Sequence, residues 1–468
     1  MRKKEHLRRN LQLAIPVMIT QAGQISVNII DSIMVAGLGG RFDSITDSNL
    51  GKTALGAASL GNSVFITALV FAFGFSFAIS PLVASADAKK DIRTANMIFT
   101  HGGFLNLSLG IILMLILLAS RPLLYQLGQA DDVIKMTIPY LSIMAWSLIP
   151  IMFFQTFRQF SEGLSLPITV TIATIIGNVV NIVFNYALIY GNWGMPRLEV
   201  EGAAWGTFIA RVVMLLALVI TLLSYKKSKN YLKRIDFKQY NQSILKKITK
   251  MGVPTAFSSF FEVSAFSGAA FISGYALAQT PEAIISAKTH LAANKIAMDF
   301  ASTSFMICMG LSVAATVRVA NQLGLKNWKL MREAGFSAIF MAAGFMLLAG
   351  VIMVIFRHQL PKIFLDEIEV VSLTSKLLII AALFQLFDGI QLVTMGALRG
   401  MQDVLIPSII TFVAYWVVAI PLGSLLAIYF ELQSVGVWIG LSVGLTISAI
   451  MLLLRYHKQT KKLIHANS

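Results

Sequence analysis

One cysteine, Cys308, stands in the 468 residues, which excludes a disulfide framework within the chain and leaves the redox compartment open. Charge is scarce as well. Only 13% of residues are Asp, Glu, Lys or Arg, too few to cover the surface of a soluble protein of this length. Acids are the scarcer sign, 22 against 38 Lys and Arg. The basic first nine residues lead into an apolar run reaching Val35, too long for a cleavable signal and without a small-residue cleavage pattern, so it reads as a first span. No His-Glu-x-x-His motif occurs. The one Gly-x-Ser-x-Gly match, Gly440 to Gly444, sits in an apolar helical run without the strand-to-helix turn that motif needs, so no enzyme is expected. No short re-entrant filter loop of the kind a channel uses is evident.

Apolar residues fill the space. They make up 56% of the chain, with mean hydropathy +0.75. Membrane-length runs fall near 11–36, 54–84, 96–119, 133–157, 165–190, 202–224, 251–278, 286–318, 333–356, 372–398, 405–429 and 434–454, which predicts an all-α polytopic membrane protein with twelve transmembrane helices. The formal charge of +16 is mainly a topology signal. With the N-terminus placed in the cytoplasm, 27 of the 38 Lys and Arg fall on the cytoplasmic side and 9 on the other, with Arg211 and Lys295 inside spans. Both termini are therefore expected in the cytoplasm. Nucleic-acid binding is disfavoured despite an isoelectric point near 9.8.

The largest basic loop divides the chain into an N-lobe over 1–224, a linker over 225–250 and a C-lobe over 251–468. The halves repeat one another. Lys52-Thr-Ala-Leu-Gly-Ala57 matches Lys288-Thr-His-Leu-Ala-Ala293 at an offset of 236, and the same offset pairs Gly74 with Gly310 and Ser76 with Ser312. Pro16 and Pro254 hold similar places in spans 1 and 7. Six spans return the chain to its starting side, so two pseudo-twofold related six-helix lobes are expected, related by an axis along the membrane normal in the manner of transporters. Prolines in or near spans, among them Pro81, Pro139, Pro150 and Pro421, delete backbone hydrogen bonds and bend helices. Gly202-x-x-x-Gly206 and Gly436-x-x-x-Gly440 point to close helix packing.

Four acids lie within spans: Asp31, Glu262, Asp299 and Asp388. Such groups are expensive in lipid and usually face a bundle interior or a water cavity. Glu262 is twelve residues past Lys250 and Asp388 eleven before Arg399, so both lie about 16 to 18 Å from the cytoplasmic end. At one depth, two carboxylates can bind a cation together or share a proton. Asp31 lies nearer the outer face in the other half. Lys295 and Asp299 are four apart on one helix face and can pair, or Lys295 can approach the Glu262 and Asp388 cluster. Arg211 is expected to snorkel or to pair.

The stretches IPVMITQAGQISVNIIDSIMVAGLG, GVPTAFSSFFEVSAF, FSEG and FQLFDGIQLVTMGALRGMQD together resemble the multidrug and toxic compound extrusion family, and the acids in spans 7 and 10 resemble its NorM-type branch. The resemblance covers essentially the whole chain. It implies two six-helix lobes forming a V around a central cavity, and export of amphipathic cationic drugs or dyes from the cytoplasm across the cell membrane in exchange for inward Na⁺ or H⁺. It places Asp31 in the N-lobe cavity for substrate or proton, and Glu262 with Asp388 at a C-lobe cation site where Na⁺ binds. No cofactor beyond the coupling ion is expected, and a monomer in lipid is. One departure bears on the ion: NorM-type members carry neutral residues in span 8 where this chain has Lys295 and Asp299, possible modulators of the site, and Na⁺ and H⁺ both stay open. A lipid or polyprenyl-linked precursor flippase of the same architecture is the alternative; it would call for basic rather than acidic groups in the cavity.

Overall fold

A computed structural model describes residues 3–39, 49–127, 130–236, 239–275, 281–364 and 367–467, without the side chains of 3, 127, 270, 271, 273–275, 281–288 and 291. Lys288 of the repeated segment thus lies outside the described side chains. Among the described residues the chain is helical, with no strand.

In chain order the helices are α1 (Lys3–Ala36), α2 (Leu50–Ser76), α3 (Ile79–Ala88), α4 (Ile92–Ala119), α5 (Asp131–Trp146), α6 (Leu148–Gly163), α7 (Pro167–Tyr190), α8 (Glu199–Ser224), α9 (Lys226–Leu232), α10 (Gln242–Tyr275), α11 (Pro281–Gly324), α12 (Trp328–Ile355), α13 (Ile368–Gly400), α14 (Leu405–Phe412), α15 (Ile420–Ser424) and α16 (Gln433–His465). Eleven helical stretches among the described residues are long and apolar enough to cross a membrane. α10 carries Glu262 and, at 34 residues, is the remaining helix of the twelve.

Prolines explain where predicted single spans are broken. Pro81 has no N–H for the carbonyl of Phe77, and the second span divides there into α2 and α3; Pro150 does the same for Trp146, between α5 and α6. Span 11 is wound as π-helix over Val413–Ala419 and Leu425–Tyr429, on either side of the short α15 that holds Pro421.

The repeat extends to turn geometry. Lys90 and Lys326, 236 apart, both take left-handed backbone, at φ 59° and 54°. Each is followed by an Asx cap. Asp91 accepts from Thr94 N at 3.0 Å to start α4, and Asn327 accepts from Leu330 N at 3.1 Å to start α12. Ser165 and Gln402 likewise share a φ of 63°.

By packing, the chain forms two compact units, residues 19–256 and residues 1–18 with 257–468. The sequence division at 224 and 250 follows the basic loop, whereas packing assigns the first part of α10 with the preceding helices and the first part of α1 with the last ones. Both changes fall two residues past a proline, Pro16 and Pro254. In the first unit Phe65, Leu141, Leu148, Met152 and Leu218 form the core. In the second, one cluster surrounds Trp438, Phe384 and Leu445, and another surrounds Met346, Leu311 and Tyr456, with Ala14 of α1 in it. The N-terminal segment is tied into this second unit by buried polar groups. Arg318 donates to His6 O at 3.0 Å and to Asn10 Oδ1, while His6 Nε2 meets Glu333 Oε2 at 3.2 Å.

Candidate functional site

Each unit holds a carboxylate with neutral hydrogen-bonding partners at membrane depth. In residues 19–256, Asp31 Oδ1 on α1 accepts from Asn185 Nδ2 on α7 at 2.6 Å. Asn185 also donates to Asn181 Oδ1 at 3.3 Å, and Asn181 donates to Thr207 Oγ1 on α8 at 3.4 Å. The row exists because α7 and α8 pack closely at Gly206, where any Cβ would collide with Asn185 Oδ1. Tyr190 Oη donates to Met34 O at 2.5 Å, fixing α1 one turn from Asp31. Arg211 does not extend to an interface. It bonds Ser147 Oγ in the break between α5 and α6, and its guanidinium lies 4.7 Å from the centre of the Phe65 ring.

In the second unit, Glu262 Oε1 on α10 accepts from Gln391 Nε2 on α13 at 3.2 Å and from Tyr415 Oη in the π-helical stretch at 3.4 Å. Gln391 and Tyr415 are themselves 3.0 Å apart. Asp388, three residues before Gln391 and 5% exposed, lies within electrostatic range of Glu262. Arg399, in the last turn of α13, is a cation within range of Glu262. Carboxylate, phenol and amide oxygens are hard donors, suited to a proton or a hard cation rather than to a soft transition metal. Among the described residues no group of three or more His, Cys, Asp or Glu side chains is gathered as for a bound metal.

Of the two arrangements open to Lys295, the structure holds the helix-local one: Nζ donates to Asp299 Oδ1 at 2.6 Å. Asn294, next to it, turns to the other face of α11 and accepts from Trp438 Nε1 at 2.8 Å.

Sequence reading found the acids but missed Asn181, Asn185, Thr207, Gln391 and Tyr415. A signal was present in part. Asn181 and Asn185 are four apart in an apolar run, and Gln391 lies one turn from Asp388, the spacing that puts polar groups on one helix face.

The MatE family profile matches residues 16–187 and 283–425, more than half of the chain and part of each repeat. This chain belongs to the MatE family. A probable multidrug resistance protein NorM from Mesorhizobium japonicum is 31% identical over 98% of this chain and 95% of its own length. Another from Bacillus anthracis is 30% identical, over 99% and 98%. A solved outward-facing structure of a multidrug resistance MATE family transporter of the MOP superfamily superposes with a TM-score of 0.85 at 21% identity, covering 99% of both chains. This MatE chain therefore has the all-α, polytopic, twelve-helix fold of a transporter family and is a multi-pass membrane protein.

Proposed function

We propose that this MatE protein is a secondary multidrug efflux transporter. It exports amphipathic organic cations, cationic drugs or dyes, in exchange for inward Na⁺ or H⁺ by alternating access, with both termini in the cytoplasm and as a monomer in lipid. Family membership and the multidrug resistance names of its relatives support the reading. The observation that carries it is Glu262, an acid at membrane depth held by Gln391 and Tyr415 beside Asp388.

In this account Asp31 receives the cation of the substrate, or a proton, in the first unit. Asn185 sets the direction of its carboxylate. A Na⁺ or H⁺ from outside then binds between Glu262 and Asp388, with Tyr415 and Gln391 supplying further oxygen. Neutralising these acids changes the charge of the second unit. The ion drives export only to the extent that it binds one conformation better than the other.

Purified protein in vesicles loaded with a cationic dye, under separately imposed Na⁺ and pH gradients, tests this directly. Dye moving under one gradient names the ion. Dye moving under neither, with labelled lipid crossing instead, overturns the efflux reading in favour of a flippase.

A further inference from the structure

Arg211 has no role in the substrate step just described, yet it stands midway along the 26-residue α8 and so at mid-membrane. The partners it holds are neutral, Ser147 Oγ and the Phe65 ring. The ion pairs described within residues 19–256 lie elsewhere: Arg158 with Glu162, Arg197 with Glu199 and Lys227 with Asp87. A guanidinium keeps its charge at any working pH, so a charge that no contact neutralises acts over distance.

Its counter-charge is Asp31. The other carboxylates described in this unit stand at or near helix ends or in the linker, and the buried one, Glu162, is taken by Arg158. Asp31 and Arg211 lie within electrostatic range of one another. A hydrogen-bonded row sets their spacing. Asn185, which holds Asp31, is one turn from Asn181; Asn181 bonds Thr207; and Arg211 is one turn past Thr207 on the same face of α8. At about 1.5 Å per residue along two antiparallel helices, these turns add to about 12 Å. Neutral amides and a hydroxyl thus stand where a salt bridge would otherwise close. A closed pair would withdraw the carboxylate from a substrate, whereas the separated pair leaves it open to one.

With Asp31 ionised and no substrate bound, the two charges cancel. A monocation at Asp31 leaves the site singly positive, and a dication leaves it doubly positive. Asp31 offsets the first positive charge and the second meets Arg211 unopposed. At about 10 Å and an effective dielectric near 20, that repulsion weakens binding about ten-fold.

Resting on the efflux reading, we propose that Arg211 is a charge filter, a specificity-determining residue that admits monocations at Asp31 and turns away dications of the same shape. Ser147 and Phe65 position the guanidinium, and its charge makes the selection.

The test uses the full chain in phospholipid vesicles under imposed Na⁺ and pH gradients, with two dyes that share a phenanthridinium ring: ethidium, a monocation, and propidium, a dication. The reading is the propidium concentration that halves ethidium transport, with ethidium at its own KM, divided by that KM. Arg211→Met is expected to lower this ratio about ten-fold, and Arg211→Lys to keep it within about two-fold of the unsubstituted protein. Arg211→Gln, which can still bond Ser147, carries the same comparison should the Met variant fail to insert. A residue that served only to pin Ser147 and Phe65 would change both dyes alike, so a ratio unmoved by Met or Gln overturns the filter. A Lys variant that falls as far as Met overturns it too, as does an unsubstituted protein that takes propidium as readily as ethidium. Ethidium moving under neither gradient overturns the efflux reading itself.

Discussion

Gln391 donates its amide to Glu262 at 3.2 Å from the same helix, one turn on, that carries Asp388. A single element therefore both supplies one acid of the proposed ion site and orients the other. Tyr415 closes the arrangement from a stretch whose π-helical winding shifts its side chain out of the ordinary register.

Removing the phenol tests that closure. Tyr415→Phe deletes one hydrogen bond to a carboxylate while keeping the ring that packs 6.0 Å from Phe266. A hydrogen bond to a charged group contributes about 1.5 to 3 kcal/mol. The half-saturating concentration of the coupling ion is expected to shift at least several-fold, measured by dye efflux across an ion titration, with less change in the KM for dye.

The first unit has its own sensitive point. Gly206→Ala drives a methyl into Asn185 Oδ1 and must displace that side chain from Asp31. Dye KM is expected to rise about ten-fold in both Gly206→Ala and Asn185→Ala, with ion dependence changed far less. Equal effects on both parameters would place Asn185 in folding rather than in substrate binding.

The paired caps give a pH prediction. Hydrogen bonds from the Thr94 side chain and backbone hold the Asp91 carboxyl below its ordinary value of 3.8. A lowered folded value means the contribution to stability is complete above the ordinary value and is lost as pH falls through the folded one. Asn327 caps the equivalent helix without titrating. Asp91→Asn should keep the cap and flatten this acid limb in thermal unfolding of detergent-solubilised protein, whereas Asp91→Ala should cost about 1 kcal/mol at neutral pH.

Because residues 1–18 pack with 257–468, the start of the chain supports the second unit. Deleting residues 1–10 leaves buried Arg318 without His6 and Asn10. An uncompensated buried charge costs about 3 to 5 kcal/mol. Faster limited proteolysis within 257–468 than within 19–256 is the expected result.

Much of this was legible in the chain. Apolar run length predicted the spans, the 236-residue offset reappears in the turns at Lys90 and Lys326, and a depth count from Lys250 and Arg399 put Glu262 and Asp388 at one level. The partners of those acids were not legible, because they depend on which faces pack. Tyr415 reaches Glu262 through a π-helical winding that hydrophobic periodicity does not report. The packing of residues 1–18 with the second unit was hidden for a related reason: α1 is one continuous apolar run, and length alone does not say which neighbours each turn meets.

The central claim is that Glu262 and Asp388 couple ion inflow to export. Glu262→Gln and Asp388→Asn, reconstituted at equal protein density, should each reduce gradient-driven dye efflux to the leak of empty vesicles, with membrane insertion retained. Full gradient-driven efflux in both variants would contradict the account.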